Sequence, residues 1–200
     1  AAVSVLTVDT AARAQAVDIQ NPAVIAGQVS WNASANQWVF TAGHQAIIEY
    51  AAFNIYQGGH VEFIQPHANA AVLNRILGAD PSTINGSLTA NGKLFFVNPA
   101  GITFGQNAVV NAGQLYAAAG SISNADFVNG VNRFTNLSGD VANLGTIAGD
   151  GVALLGCPLD IWRCRKVTTF LVRLEAALVQ FFEFIHDPAA GDHVRLAVGQ

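Results

Sequence analysis

From Val17 to Gly156 apolar and polar residues alternate in short runs, among them VDIQ, QWVFTAG, HVEFIQP and GITFG, each bounded by turn residues. A period of two marks a strand, and Gly58-Gly59 and Asn91-Gly92 are turn chemistry because Asn and Gly tolerate positive φ. The region is therefore predicted to be nearly all β. Antiparallel hairpins in a sandwich compete here with parallel coils in a solenoid, and recurrence at a period of about 20 residues favours the solenoid. Ile84-Asn85-Gly86-Ser87-Leu88, Val109-Val110-Asn111-Ala112-Gly113-Gln114-Leu115 and Val141-Ala142-Asn143-Leu144-Gly145-Thr146-Ile147 share one form: apolar, Asn, a nearby Gly, apolar. Asn suits a coil corner because it accepts a left-handed backbone and its amide can bond to the Asn one coil above.

Solenoid coils bury their inward side chains only by stacking on one another. Leu88, Phe96, Ile102, Phe104, Leu115, Ile147 and Leu154 are accordingly expected in continuous internal rows. Phe40, Phe53, Ile55, Val61 and Phe63 are assigned to the first coils or to an N-terminal cap over the open end.

Composition sharpens the picture at both ends. Residues 1–16 finish in Ala14-Gln15-Ala16, the small-x-small form that precedes signal-peptidase cleavage, and are read as the remnant of a signal peptide. After Gly156 the character changes: every Asn precedes that residue, whereas both cysteines and five of the nine basic residues follow it. Within the tail, 157–200, Leu171, Leu174, Leu178, Phe181 and Ile185 fall at helical spacing after Thr168-Thr169, with Asp187-Pro188 as a stop. An amphipathic helix that caps the solenoid is one reading. A shifted or truncated reading frame is the other, and the abrupt boundary favours it.

Hydrophobic residues make up 52% of the chain and charged residues 11%, which argues against disorder. A net charge of −4 leaves no basic face for a phosphate backbone, so nucleic acid is excluded as a partner. No apolar run reaches the roughly 20 residues of a membrane-spanning helix.

The segment Gly86 to Gly113 contains Val97-Asn98-Pro99-Ala100-Gly101-Ile102, which resembles the Asn-Pro-Asn-Gly-Ile block of the secretion domain of filamentous haemagglutinin-like exoproteins. Other landmarks follow the family in order, including Gly59-His60-Val61-Glu62-Phe63, Leu73-Asn74-Arg75-Ile76-Leu77-Gly78 and Val110-Asn111-Ala112-Gly113-Gln114-Leu115. The match covers 17–156; Ala100 stands where the family has its second Asn, and the companion tetrapeptide Asn-Pro-Asn-Leu does not occur.

The resemblance implies a right-handed parallel β-helix, an all-β solenoid with an N-terminal cap, to which the tail adds a candidate C-terminal helix. It further implies two-partner secretion from a Gram-negative bacterium. The passenger would cross the periplasm, meet the periplasmic recognition domains of an outer-membrane β-barrel transporter, and end secreted or at the cell surface. Adhesion to host or neighbouring cells is the family expectation for a full-length product. Asn98, Pro99, Gly101 and Ile102, then Asn74 and Arg75, are the residues expected to carry recognition or to nucleate the first coils.

Catalysis is not expected. A β-helical polysaccharide lyase or hydrolase needs clustered carboxylates, whereas Asp18, Glu49, Glu62, Asp80, Asp126, Asp140 and Asp150 are scattered. His44, His60 and His67 lack an acid or Cys partner for zinc, and Cys157, Cys164, His186 and His193 are spaced too widely. No metal or cofactor is implied. A stand-alone structural or carbohydrate-binding β-solenoid is the remaining alternative.

Overall fold

The structure is a computed structural model that describes residues 15–156 and 193–195. Three short strands open the described part: β1 (Val17–Gln20), β2 (Ala23–Ala26) and β3 (Val29–Ala33). The chain then winds as a β-solenoid of about four turns, with three faces. The first coil consists of β4 (Gln37–Ala42), β5 (Ala46–Tyr50) and β6 (Ala52–Ile55), one strand on each face; the second consists of β7 (His60–Ile64), β8 (Ala71–Ile76) and β9 (Ser82–Ile84). In the third, β10 (Ser87–Val97) bends across faces one and two before β11 (Ile102–Phe104) enters face three.

The fourth coil repeats this with β12 (Val109–Ala118), then leaves the solenoid through α1 (Asn124–Val128) and β13 (Arg133–Thr135) and rejoins it at β14 (Val141–Asn143). β15 (Thr146–Ala148) and β16 (Gly151–Leu155) lie on the two arms of β12. Within the tail, β17 (His193–Arg195) pairs antiparallel with β13. The signal-peptide reading and the candidate helix of the tail fall almost wholly outside the described residues.

Parallel pairing in register converts sequence alternation into vertical rows. On face one, Trp38, Val61, Leu88, Val110 and Ile147 lie one above another and all face the interior. On face two the rows are Ala46, Val72, Leu94, Leu115, Val152 and Ile48, Asn74, Phe96, Ala117, Leu154. Face three contributes Ile55, Ile84 and Phe104. Every residue expected in the core is buried. Phe40 stacks on Phe63 with ring centroids 4.9 Å apart, one coil to the next.

The N-terminal cap is built by running the chain backwards. β1 pairs with β6, β2 with β5 and β3 with β4, each antiparallel, so every face of the first coil is covered. Corners need small residues: a Cβ on Gly86 would come within 2.5 Å of the Gly59 carbonyl and 2.6 Å of the Tyr56 carbonyl. The three repeats read from sequence do not superpose. Gly86 and Gly145 occupy the same corner, whereas Asn111-Ala112-Gly113 lies at the next one, between faces one and two. Of the expected Asn bonds between coils, Asn85 Oδ1 accepts from Asn107 N at 3.0 Å, while Asn91 pairs reciprocally with the Gln65 backbone at 2.7 and 2.8 Å.

Face two is apolar on its outer side as well. Ile47, Leu73, Phe95, Val97, Ala118 and Leu155 form a second cluster with Ile122, Phe127 and Phe134 of the excursion that contains α1 and β13. Phe95 stacks on Tyr116 at 4.4 Å and meets the edge of Phe127 at 5.2 Å. Ser123 caps α1, its hydroxyl accepting from Asp126 N at 3.0 Å, which turns Phe127 onto the sheet.

One polar pair lies inside the first core. Tyr50 donates its hydroxyl to Asn74 Oδ1 at 2.8 Å, and Asn74 Nδ2 donates to the Phe95 carbonyl at 3.2 Å. Burial pushes the Tyr50 phenol well above its ordinary range, because the anion would lose its hydration.

Two outcomes follow. Phe95→Ala should cost about 3–5 kcal/mol in denaturant unfolding, close to Phe63→Ala, since both rings are buried; a loss under about 0.5 kcal/mol would mean the outer cluster is ordinary surface. Because the folded Tyr50 holds its proton longer than the unfolded chain, its contribution is complete below pH of about 10 and lost above it. Unfolding midpoints should therefore fall at alkaline pH, and Tyr50→Phe should flatten that fall.

Candidate functional site

The expected recognition block forms the corner between faces two and three of the third coil, where β10 ends and β11 begins. Asn98 is fully buried there. Its Oδ1 accepts from Ala100 N at 2.9 Å, closing an Asx turn, and Gly101 N donates to the Asn98 carbonyl at 3.0 Å, closing the β-turn around it. Asn98 Nδ2 reaches the second coil, donating to the Asp80 carbonyl at 3.1 Å and to Ser82 Oγ at 3.0 Å. Gly101 has φ +122°, a conformation that a side chain would strain, and an added Cβ would lie 3.1 Å from the Asp140 carbonyl. Ile102 then points into the core.

The fourth coil closes this corner from the other side. Ile102 N donates to the Asp140 carbonyl at 2.9 Å and Ser138 Oγ to the Pro99 carbonyl at 3.2 Å. Pro99 is exposed and Ala100 half-buried, and with Pro81, Thr103 and Gly139 they line a shallow depression of about 360 Å³. Asn98, Gly101 and Ile102 are thus spent inside the domain, and Pro99 with Ala100 is the part the folded corner presents.

The other two expected residues do different work. Asn74 is fully buried on the inner side of β8, in the polar pair described above. Arg75, its neighbour, faces outward and bridges three elements: Nη1 donates to Glu49 Oε1 at 2.8 Å, and Nη2 to the Ile122 carbonyl at 2.8 Å and Asn124 Oδ1 at 2.7 Å. Gln45 Nε2, in the turn before β5, adds a bond to the Val128 carbonyl at 2.6 Å, so the excursion of the fourth coil is tied to the first and second coils.

Sequence reasoning missed this excursion and the cluster beneath it. The signal was present: Leu94-Phe95-Phe96-Val97 and Leu115-Tyr116-Ala117-Ala118-Ala119 do not alternate, and an uninterrupted apolar run marks a strand buried on both faces.

Little here resembles a reactive centre. The rings of His44 and His67 lie 5.6 Å apart, and His44 Nδ1 accepts from Ala71 N at 3.2 Å. Among the described residues no three His, Cys, Asp or Glu side chains group to hold an ion. Two ion pairs occur among them, Arg75–Glu49 and Arg133–Asp126, the latter at 3.7 Å.

Comparison with known proteins agrees with this geometry. The family model described as the TPS secretion domain matches residues 13–155. The chain is 38% identical over 109 residues to a heme/hemopexin-binding protein of Haemophilus influenzae (strain ATCC 51907 / DSM 11121 / KW20 / Rd), covering 52% of this chain and 12% of that protein. A second heme/hemopexin-binding protein of Haemophilus influenzae is 34% identical over 96 residues, covering 48% of this chain and 10% of its own length. The crystal structure of the HMW1 secretion domain from Haemophilus influenzae superposes with a TM-score of 0.66 at 32% identity, covering 70% of this chain and 39% of that one. The fold, the ordered landmarks and these matches agree: the chain belongs to the TPS secretion-domain family, the secretion domains of two-partner secreted exoproteins.

Proposed function

We propose that this domain commits a longer exoprotein to export through a TpsB-type outer-membrane β-barrel transporter, and that its periplasmic recognition domains read the chain before it folds. The observation that carries this reading is the family match along 13–155, which contains the Asn98 to Ile102 corner and the Asn74-Arg75 pair. In an unfolded chain those residues are available to a partner. Once the chain emerges, Asn74, Asn98, Gly101 and Ile102 turn inward and help lock the coils together, and each stacked coil adds free energy that biases movement outward.

The finished product is secreted or displayed at the surface of a Gram-negative bacterium, and its cargo mediates adhesion to host or neighbouring cells. The relatives named for heme and hemopexin align with this chain over only 12% and 10% of their lengths, so adhesion here rests on the family resemblance. Neither catalysis nor a cofactor is assigned.

The test is export of this chain behind a Sec signal, with and without the transporter of its own source. The chain should reach the medium only when the transporter is present and stay in the periplasm otherwise; equal export in both strains would overturn the reading. Asn98→Ala, which strands Ser82 and the Asp80 carbonyl, should lower the stability of the purified protein by about 1–3 kcal/mol, while Pro99→Ser should leave it within about 0.5 kcal/mol.

A further inference from the structure

Among the strands of the N-terminal cap, β3 has an edge unlike the other two. β1 carries Asp18, held by Gln20 Nε2 at 3.0 Å. β2 follows Pro22 and its pairing is irregular between Val24 and Ala26. Charges, proline and bulges are the devices by which natural sheets blunt an exposed edge. β3 has none of them: Val29-Ser30-Trp31-Asn32-Ala33 pairs in unbroken register with β4 on one side and ends its sheet on the other, among the described strands. No charged residue occurs between Asp18 and Glu49.

The direction of the free backbone groups follows from the hairpin. Gly43 N donates to the Gln28 carbonyl and Ser34 N to the Gln37 carbonyl, both at 2.8 Å. Antiparallel pairs alternate, so Gln28, Ser30, Asn32 and Ser34 spend their amides on β4. Val29, Trp31 and Ala33 therefore aim their N–H and C=O groups at the open edge. Those three positions are symmetric about Trp31.

We propose that this edge is an interface with a second copy of the chain, formed by antiparallel pairing of β3 with β3 about a two-fold axis through Trp31. In that register Trp31 meets Trp31, and Val29 meets Ala33 twice, so each outward donor finds an acceptor. Ser30 faces Asn32 of the other copy, and no like charges are brought together. Trp31, 37% exposed and lying 5.9 Å from the Phe40 ring, gains a cross-strand partner at the mouth of the solenoid. The occupant is a second copy because this edge carries no charge, proline or bulge to keep an identical edge away, and its register about Trp31 obeys the two-fold rule.

Sedimentation equilibrium of the full chain under reducing conditions, over a range of concentrations, tests this. Wild type should show a reversible monomer–dimer equilibrium. Ser30→Lys with Asn32→Lys sets lysines opposite each other across the axis and should weaken the dimer by about tenfold or more, with the melting temperature of the monomer unchanged. Ser30→Lys with Asn32→Glu sets Lys opposite Glu in the same register and should restore it. A strictly monomeric wild type, a dimer indifferent to both pairs, or equal weakening by both would overturn the proposal.

Discussion

No coil of this domain can bury its own inward side chains; each depends on the coil above and below it. Everything else in the structure answers that constraint. Rows such as Trp38, Val61, Leu88, Val110 and Ile147 exist because parallel register repeats the same inward position coil after coil. At the N-terminal end, where the series has no preceding coil, three antiparallel strands take its place, one on each face. The buried corner at Asn98 follows the same logic, with bonds to the second coil through Ser82 and from the fourth through Asp140 and Ser138.

A stack of repeats with only nearest-neighbour contacts unravels from its ends. Here the outer cluster on face two adds a layer that ignores coil order. Ile47 of the first coil, Leu73 of the second, Phe95 of the third and Leu155 beyond the fourth share one apolar cluster under α1 and β13. Arg75 fastens that cover to Glu49 and to Ile122 and Asn124. On the proposed export route this cover arrives only after most of the solenoid has emerged, so growth by coils comes first and locking comes last.

Much of this was legible in the sequence, for identifiable reasons. Strict alternation in HVEFI and GITF gave the inward rows, and the turn residues gave the corners. Repeat spacing was legible only in part: Gly86 and Gly145 are true equivalents, but the excursion stretches the fourth coil, and Asn111 belongs to a different corner. Asn98 was recognisable as a turn residue, yet its burial is set by Ser82 and Asp80, which lie in another coil. The bonds of Arg75 were not legible, because its sequence neighbours say nothing of Ile122 and Asn124; only the fold brings them together. The face-two cover is signalled by the non-alternating runs around Phe95 and Tyr116, but a run buried on both sides does not say which segment covers it, and Ile122, Phe127 and Phe134 are brought there only by the fold.

Hydrogen exchange followed by mass spectrometry on the intact chain tests the central claim most directly, that inward rows and outer cover together make one cooperative unit. The account predicts that β5, β8 and the face-two arms of β10 and β12 exchange together, as the slowest amides of the domain. Protection that instead declines step by step from the first coil to the last, with the face-two strands no slower than those of face three, would contradict it.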